Sequence, residues 1–237
     1  MSSSTWTPHA VASDAKSVAF RVWRAVEAQH VVSTMRLVDF DLSAQRLLEE
    51  IVDESKPGMA PQTKPIDYLL FTPFRYRSPF PSRFRGADEL GVFYGADEVR
   101  TACAELGYWR WRFVMASEGL RASGLGPTAH TVFRAGVKGL GVDLRVSPFD
   151  RHRSRWTQPD NYRETQALAR AAREATIEVI RYESVRDPEK GGCAAVLRVE
   201  AFQPKRRLEE QTWHLTVTPG DVIWQRDGAA FRFDAAG

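Results

Sequence analysis

Cysteine is nearly absent from these 237 residues. Cys103 and Cys193 lie far apart, form neither a disulfide framework nor a CxxC metal knuckle, and suit a reducing compartment. The five histidines (His9, His30, His130, His152, His214) show no HExxH or other paired spacing, so no metal site is expected. There is no GxSxG elbow, and Gly139-Leu140-Gly141 lacks the rest of a dinucleotide fingerprint. No apolar run approaches the ~18 to 20 residues that cross a bilayer. The start, Met1-Ser2-Ser3-Ser4-Thr5-Trp6, lacks the basic opening and apolar core of a signal peptide, so the expectation is a cytoplasmic protein with no membrane partner. Lysine is scarce too, 6 residues against 27 Arg in a chain of net charge +3. A composition of 43% hydrophobic and 27% charged residues excludes disorder and collagen and reads as an ordinary folded chain. The arginine excess fits planar, bidentate anion contacts, and codon bias in a GC-rich genome would produce it equally well.

The pattern divides the chain at about residue 66. Asp41 or Ser43 can cap a helix whose Leu47, Leu48, Ile51 and Val52 form one stripe, and the polar connector Ser55 to Pro65 follows. Residues 1–66 therefore read as a mainly helical N-terminal arm and linker, with one face wanting burial by the domain, a partner or a second copy. Residues 67–237 read as the main domain, with a core at about 68–203 and a β extension at 204–237. Expected strands are Tyr68 to Phe71, Gly91 to Tyr94, Thr131 to Val137, Gly141 to Val146, Ile177 to Tyr182, Cys193 to Phe202, Trp213 to Val217 and Val222 to Gln225. One helix starts after Asp97, with Val99, Ala102, Cys103 and Leu106 on its buried face and Glu105 beside that stripe. Another runs from about Tyr162 to Ala175, with Asp160 or Asn161 as its cap. The order of elements gives an α+β fold.

Two segments carry chemistry. Residues 74–85 hold four Arg, three Phe, one Tyr and no acid, in a loop stiffened by Pro79 and Pro81. Guanidinium forks grip phosphate and stack on flat rings, so the segment suits a nucleotide, a nucleic acid or simply a solvated basic loop. The run Arg151-His152-Arg153-Ser154-Arg155 would join it in a nucleic-acid-binding module. In the second segment, Ile180 to Pro188, a strand ends in a polar turn at Ser184 and Asp187, which serves a site or caps the turn.

Through Phe74-Arg75-Tyr76, Ser82-Arg83-Phe84, Phe93-Tyr94-Gly95-Ala96, Ala104-Glu105 and Tyr182-Glu183-Ser184-Val185-Arg186-Asp187, the sequence resembles the RES domain family, named for an Arg, a Glu and a Ser. The order and spacing fit over about residues 68–203. The resemblance implies a split β-sheet with flanking helices like that of the ADP-ribosyltransferases, with NAD+ as substrate in a central cleft. It also implies cleavage of the nicotinamide–ribose bond by glycohydrolysis, phosphorolysis or ADP-ribosyl transfer. The family's characterised members are toxins of bacterial toxin–antitoxin pairs whose antitoxins carry an Xre-type helix-turn-helix. Carried onto this chain, it places Arg75, Tyr76, Arg83, Tyr94, Glu105 and Ser184 in the cleft. Glu105 would stabilise the oxocarbenium-like transition state, Arg75 and Arg83 would bind the pyrophosphate, Tyr76 and Tyr94 would meet the nicotinamide end, and Ser184 would bond a ribose or phosphate oxygen. Ser82-Arg83-Phe84-Arg85 departs from the family's frequent Gly-Arg-Trp/Phe-Asn, so Arg83 is preferred and Arg85 stays open. A cation from Arg77, Arg85 or Arg186 near the acceptor would favour inorganic phosphate over water. An inactive, RES-type interaction protein is the remaining alternative.

Overall fold

The computed structural model describes residues 6–28, 41, 43, 44, 47, 67–203 and 208–234. Residues 6–28, the described stretch of the expected helical arm, are mainly strand. After a short helix α1 (Pro8–Ser13), capped by the Thr7 hydroxyl, Lys16–Glu27 forms a long strand, β1. The sequence alternates with period two: Val18, Phe20, Val22 and Val26 enter one core cluster, while Trp23 and Ala25 enter another. Trp6 packs against Phe149 and Trp156, with ring centroids 5.0 and 5.6 Å apart. Residues 6–28 are thus built into the main body. Of the expected helix after Asp41, Leu48, Ile51 and Val52 lie outside the described residues, as does the connector from Ser55 to Pro65.

The described strands form an eight-stranded sheet in the order β1-β2-β5-β4-β3-β6-β7-β8, with β1 also pairing β3. They are β2 (Phe93–Ala96), β3 (Leu125–Asp143), β4 (Val179–Glu183), β5 (Gly192–Val196), β6 (Glu209–Val217), β7 (Asp221–Arg226) and β8 (Ala229–Asp234). Strand β3 joins the two halves. One edge lies antiparallel to β1 from Lys16↔Gly141 to Glu27↔His130. Its other edge pairs first with β6 and then, in parallel, with β4. Strands β1 and β2 meet at one registered pair, Trp23↔Ala96, so the sheet splits beyond it.

Several elements correct the sequence expectations. Tyr68–Arg75 is a helix, α2, rather than a strand; a four-residue apolar run is ambiguous by pattern, and the Asp67 side chain accepts the Leu69 N–H at 2.9 Å. The two strands expected on either side of Gly139 are one 19-residue strand, β3. Helix α3 (Val99–Ala116) forms as expected, but Asp97 does not cap it, because its carboxylate accepts from Arg181 at 2.5 Å. Helix α4 (Glu118–Ser123) follows, then α5 (Arg153–Trp156) and α6 (Arg163–Glu174), at whose start Asn161 Oδ1 accepts the Arg163 N–H at 3.1 Å. Strand β5 stops at Val196; Phe202, expected on the same strand, makes an isolated bridge with Val137.

The main core lies between the sheet and helices α3 and α6, and a second cluster sits beneath α2. Gly107 lets α3 settle on β7, since a Cβ there would meet Val222 Cγ1 at 2.6 Å. Among the described residues no helix is long and apolar enough to cross a membrane, and no group of three His, Cys, Asp or Glu side chains could hold a metal ion.

Candidate active site

Helix α3 and the turn after β4 build the centre of the site together. Thr101 and Glu105 lie one helical turn apart on α3. Thr101 Oγ1 donates to Asp187 Oδ2 at 2.7 Å, and Arg100 pairs with Asp187 Oδ1. These contacts tie the 184–191 turn to the start of the helix. Within the turn, Ser184 Oγ accepts the N–H groups of Arg186 at 3.2 Å and Asp187 at 3.0 Å. Its one proton is therefore directed to Glu105 Oε1, 2.6 Å away. Ser184 is fully buried and its lone pairs are occupied, which leaves it neither a nucleophile nor a direct ribose contact.

The Arg-rich loop forms another wall. Tyr94, on β2, bonds Ser82 Oγ at 2.8 Å and accepts the Phe84 N–H at 3.0 Å. Thr165 and Gln166 of α6 hold the carbonyls of Arg83 and Ser82. Clamped from both sides, the loop turns Arg83 inward. Its guanidinium donates to the carbonyls of Trp156 at 2.9 Å and Gln158 at 3.0 Å and lies 4.9 Å from the Tyr162 ring centroid. Arg85 turns away and donates to the Phe80 carbonyl at 2.5 Å.

Glu105, Arg83, Tyr94, Tyr162 and Arg186 line a cavity of about 240 Å³, with Trp23, Arg24 and Ala25 of β1 supplying part of its wall. Burial raises the Glu105 carboxyl above its ordinary value, while the Ser184 hydroxyl and the charges of Arg83 and Arg186 pull it down. Arg186 stacks on Tyr108, 3.5 Å from the ring centroid, and donates to the Pro159 carbonyl. Cys193 also lines the cavity, and burial pushes its thiol well above the usual range.

The cavity thus brings together Arg83, Tyr94 and Glu105, with Ser184 directly behind Glu105. Arg75 and Tyr76 lie elsewhere, in a neighbouring cavity beneath α2. Arg77, which donates to the Asp88 carbonyl, is on the outer surface. Arg153 pairs with Glu183 and Arg155 with Glu164, so two of the three arginines in the run 151–155 are neutralised by acids. The sequence reading missed Arg24 and the pinning role of Thr101 and Asp187. Arg24 was legible as a lone cation on the apolar face of an alternating strand, whereas the partnership of Arg100 with Asp187 had no local signal.

No curated protein matches the chain. A chain from the crystal structure of the M. tuberculosis MbcT-MbcA toxin-antitoxin complex is 14% identical with a TM-score of 0.48, over 86% of this chain and 87% of that one. Residues 59–218 match the RES domain model, more than half of the sequence and the part that carries Arg83, Tyr94, Glu105 and Ser184, and the chain belongs to the RES domain family.

Proposed function

We propose that this chain cleaves the nicotinamide–ribose bond of NAD+. The observation that carries the reading is the Glu105 carboxylate in an apolar cavity, fixed by the Ser184 hydroxyl and flanked by Arg83 and Arg186. Breaking that bond releases neutral nicotinamide from a cationic pyridinium and leaves positive charge spread over the ribose ring. A carboxylate held in low-dielectric surroundings stabilises that charge far more than it would in water. Glu105 is the catalytic residue, and Ser184 is a positioning residue that acts through it. Arg83, backed by Tyr162, supplies positive potential for the substrate's phosphates.

The acceptor is water, inorganic phosphate or a protein side chain. Of the three cations considered for phosphate, Arg186 lines the cavity, whereas Arg77 and Arg85 donate to carbonyls outside it, which favours Arg186 for that role. Family membership supports a further reading of the chain as the toxin of a toxin–antitoxin pair, with a helix-turn-helix antitoxin as partner. A nucleic-acid-binding module is the weaker alternative, because the arginines of 74–85 do not share one face and Arg153 and Arg155 are paired with acids.

The test is to incubate the purified chain with NAD+, with and without phosphate, and resolve the products by mass spectrometry. The expected products are nicotinamide with ADP-ribose or ADP-ribose 1″-phosphate. Glu105→Gln should lower the rate by roughly 10²- to 10³-fold. NAD+ left unchanged by the wild-type chain would overturn the proposal.

A further inference from the structure

The cavity around Glu105, about 240 Å³, falls below the roughly 300–1,000 Å³ typical of small-molecule sites and suits only half of a dinucleotide. A second cavity of about 680 Å³ adjoins it beneath α2, lined by Tyr68, Thr72 and Arg75 of the helix, by Tyr76 just after it and by Glu27 at the end of β1. Arg24 lines both cavities. It stands where β1 and β2 part beyond Trp23↔Ala96, donates to the Tyr94 carbonyl at 3.0 Å and lies 4.7 Å from the Phe93 ring centroid. Its Nε is buried and has no hydrogen-bond partner. Burial lowers the guanidinium only to about 10, so it stays charged at neutral pH. A half-buried cation with a buried, unused donor, standing between an apolar cavity and a larger aromatic-lined one, is costly unless an anion completes it.

On the reading of NAD+ as substrate, we infer that Arg24 binds its diphosphate at the junction of the two cavities and that the cavity beneath α2 holds the adenosine half. The nicotinamide riboside half then sits against Glu105. Tyr68 and Tyr76 offer rings to the purine, Arg75 offers a second guanidinium to the diphosphate, and the Asp67 and Glu210 carboxylates can accept from ribose hydroxyls, while Glu27 is paired with Arg110. Arg24 precedes residue 59, where the family match begins, so this part of the site comes from a segment outside that match.

ADP is the probe, since it carries adenosine and the diphosphate but neither nicotinamide nor the ribose that reacts. Calorimetric titration of ADP into the full chain should show binding that weakens at least tenfold in Arg24→Gln and in Tyr76→Ala. Tyr76 is 39% exposed, so its variant keeps the test decisive where the half-buried Arg24 variant fails to fold. Absence of ADP binding would overturn the inference. So would binding that Trp109→Ala weakens and Tyr76→Ala does not, since Trp109, 44% exposed on the wall of the smaller cavity, would then carry the purine. ADP binding without NAD+ cleavage would remove the proposed reaction alone; NAD+ cleavage without ADP binding would remove this inference alone.

Discussion

At the scale of single residues, the site depends on how Ser184 spends one proton. Two backbone N–H groups fill its acceptor positions, so the hydroxyl can only donate, and it donates to Glu105. The bond stabilises the carboxylate against the burial that raises its pKa. The ionised form is the working form, present above the raised pKa and lost as pH falls through it. The acid limb of the pH–rate profile should therefore lie above the usual Glu value of about 4.3, and Ser184→Ala should move it higher still by removing a donor from the anion. A limb that stays in place in Ser184→Ala would show that Ser184 does not act through Glu105. Arg83→Ala removes the Nη1 donor of both bonds and leaves the buried Trp156 carbonyl unpaired; a stability loss of about 1–3 kcal/mol is expected by chemical denaturation. Glu105 was legible because helical periodicity placed it beside the apolar stripe. Whether Arg83 or Arg85 faced the cavity was not, since the loop has no period and its direction is set by Tyr94 and α6.

At the scale of elements, α3 is positioned from both ends of its contact surface. Near its start, Arg100 and Thr101 hold Asp187, which is 4% exposed. Asp187→Ala would leave Arg100 with only the exposed Glu189 as partner and the buried Thr101 hydroxyl without its acceptor, an expected cost of about 1–3 kcal/mol in thermal or denaturant melts. Because the same contact brings Ser184 to Glu105, the surviving folded fraction should also turn over more slowly. Further along, Gly107 admits Val222 and Trp224 of β7. Gly107→Ala gains helix propensity of about 1 kcal/mol, yet the overlap with Val222 costs about 1–3 kcal/mol, so a net loss of thermal stability is expected. The sequence pattern located α3 and α6 well, since long amphipathic periods survive tertiary context. It misassigned α2, where four apolar residues fit strand and helix alike and Asp67 was the deciding signal.

At the scale of the whole molecule, β1 decides what the domain is. It covers β3 over twelve registered pairs, fills both core clusters and walls the cavity. A chain beginning at residue 67 should therefore lose cooperative unfolding by circular dichroism, although residues 67–237 read as the main domain from the sequence pattern. A sharp transition in that fragment would restore the N-terminal segment to the status of an arm. The sequence by itself determined the α+β class, the family and the residue types gathered around Glu105, because these follow from local periodicity and from motifs in fixed order. Tertiary structure alone decided which arginines share a cavity, that Arg75 and Tyr76 stand apart from Glu105, and that Arg24 lies between them. Those facts depend on the pairing of strands more than a hundred residues apart, as in Lys16 with Gly141, and no local pattern encodes that register.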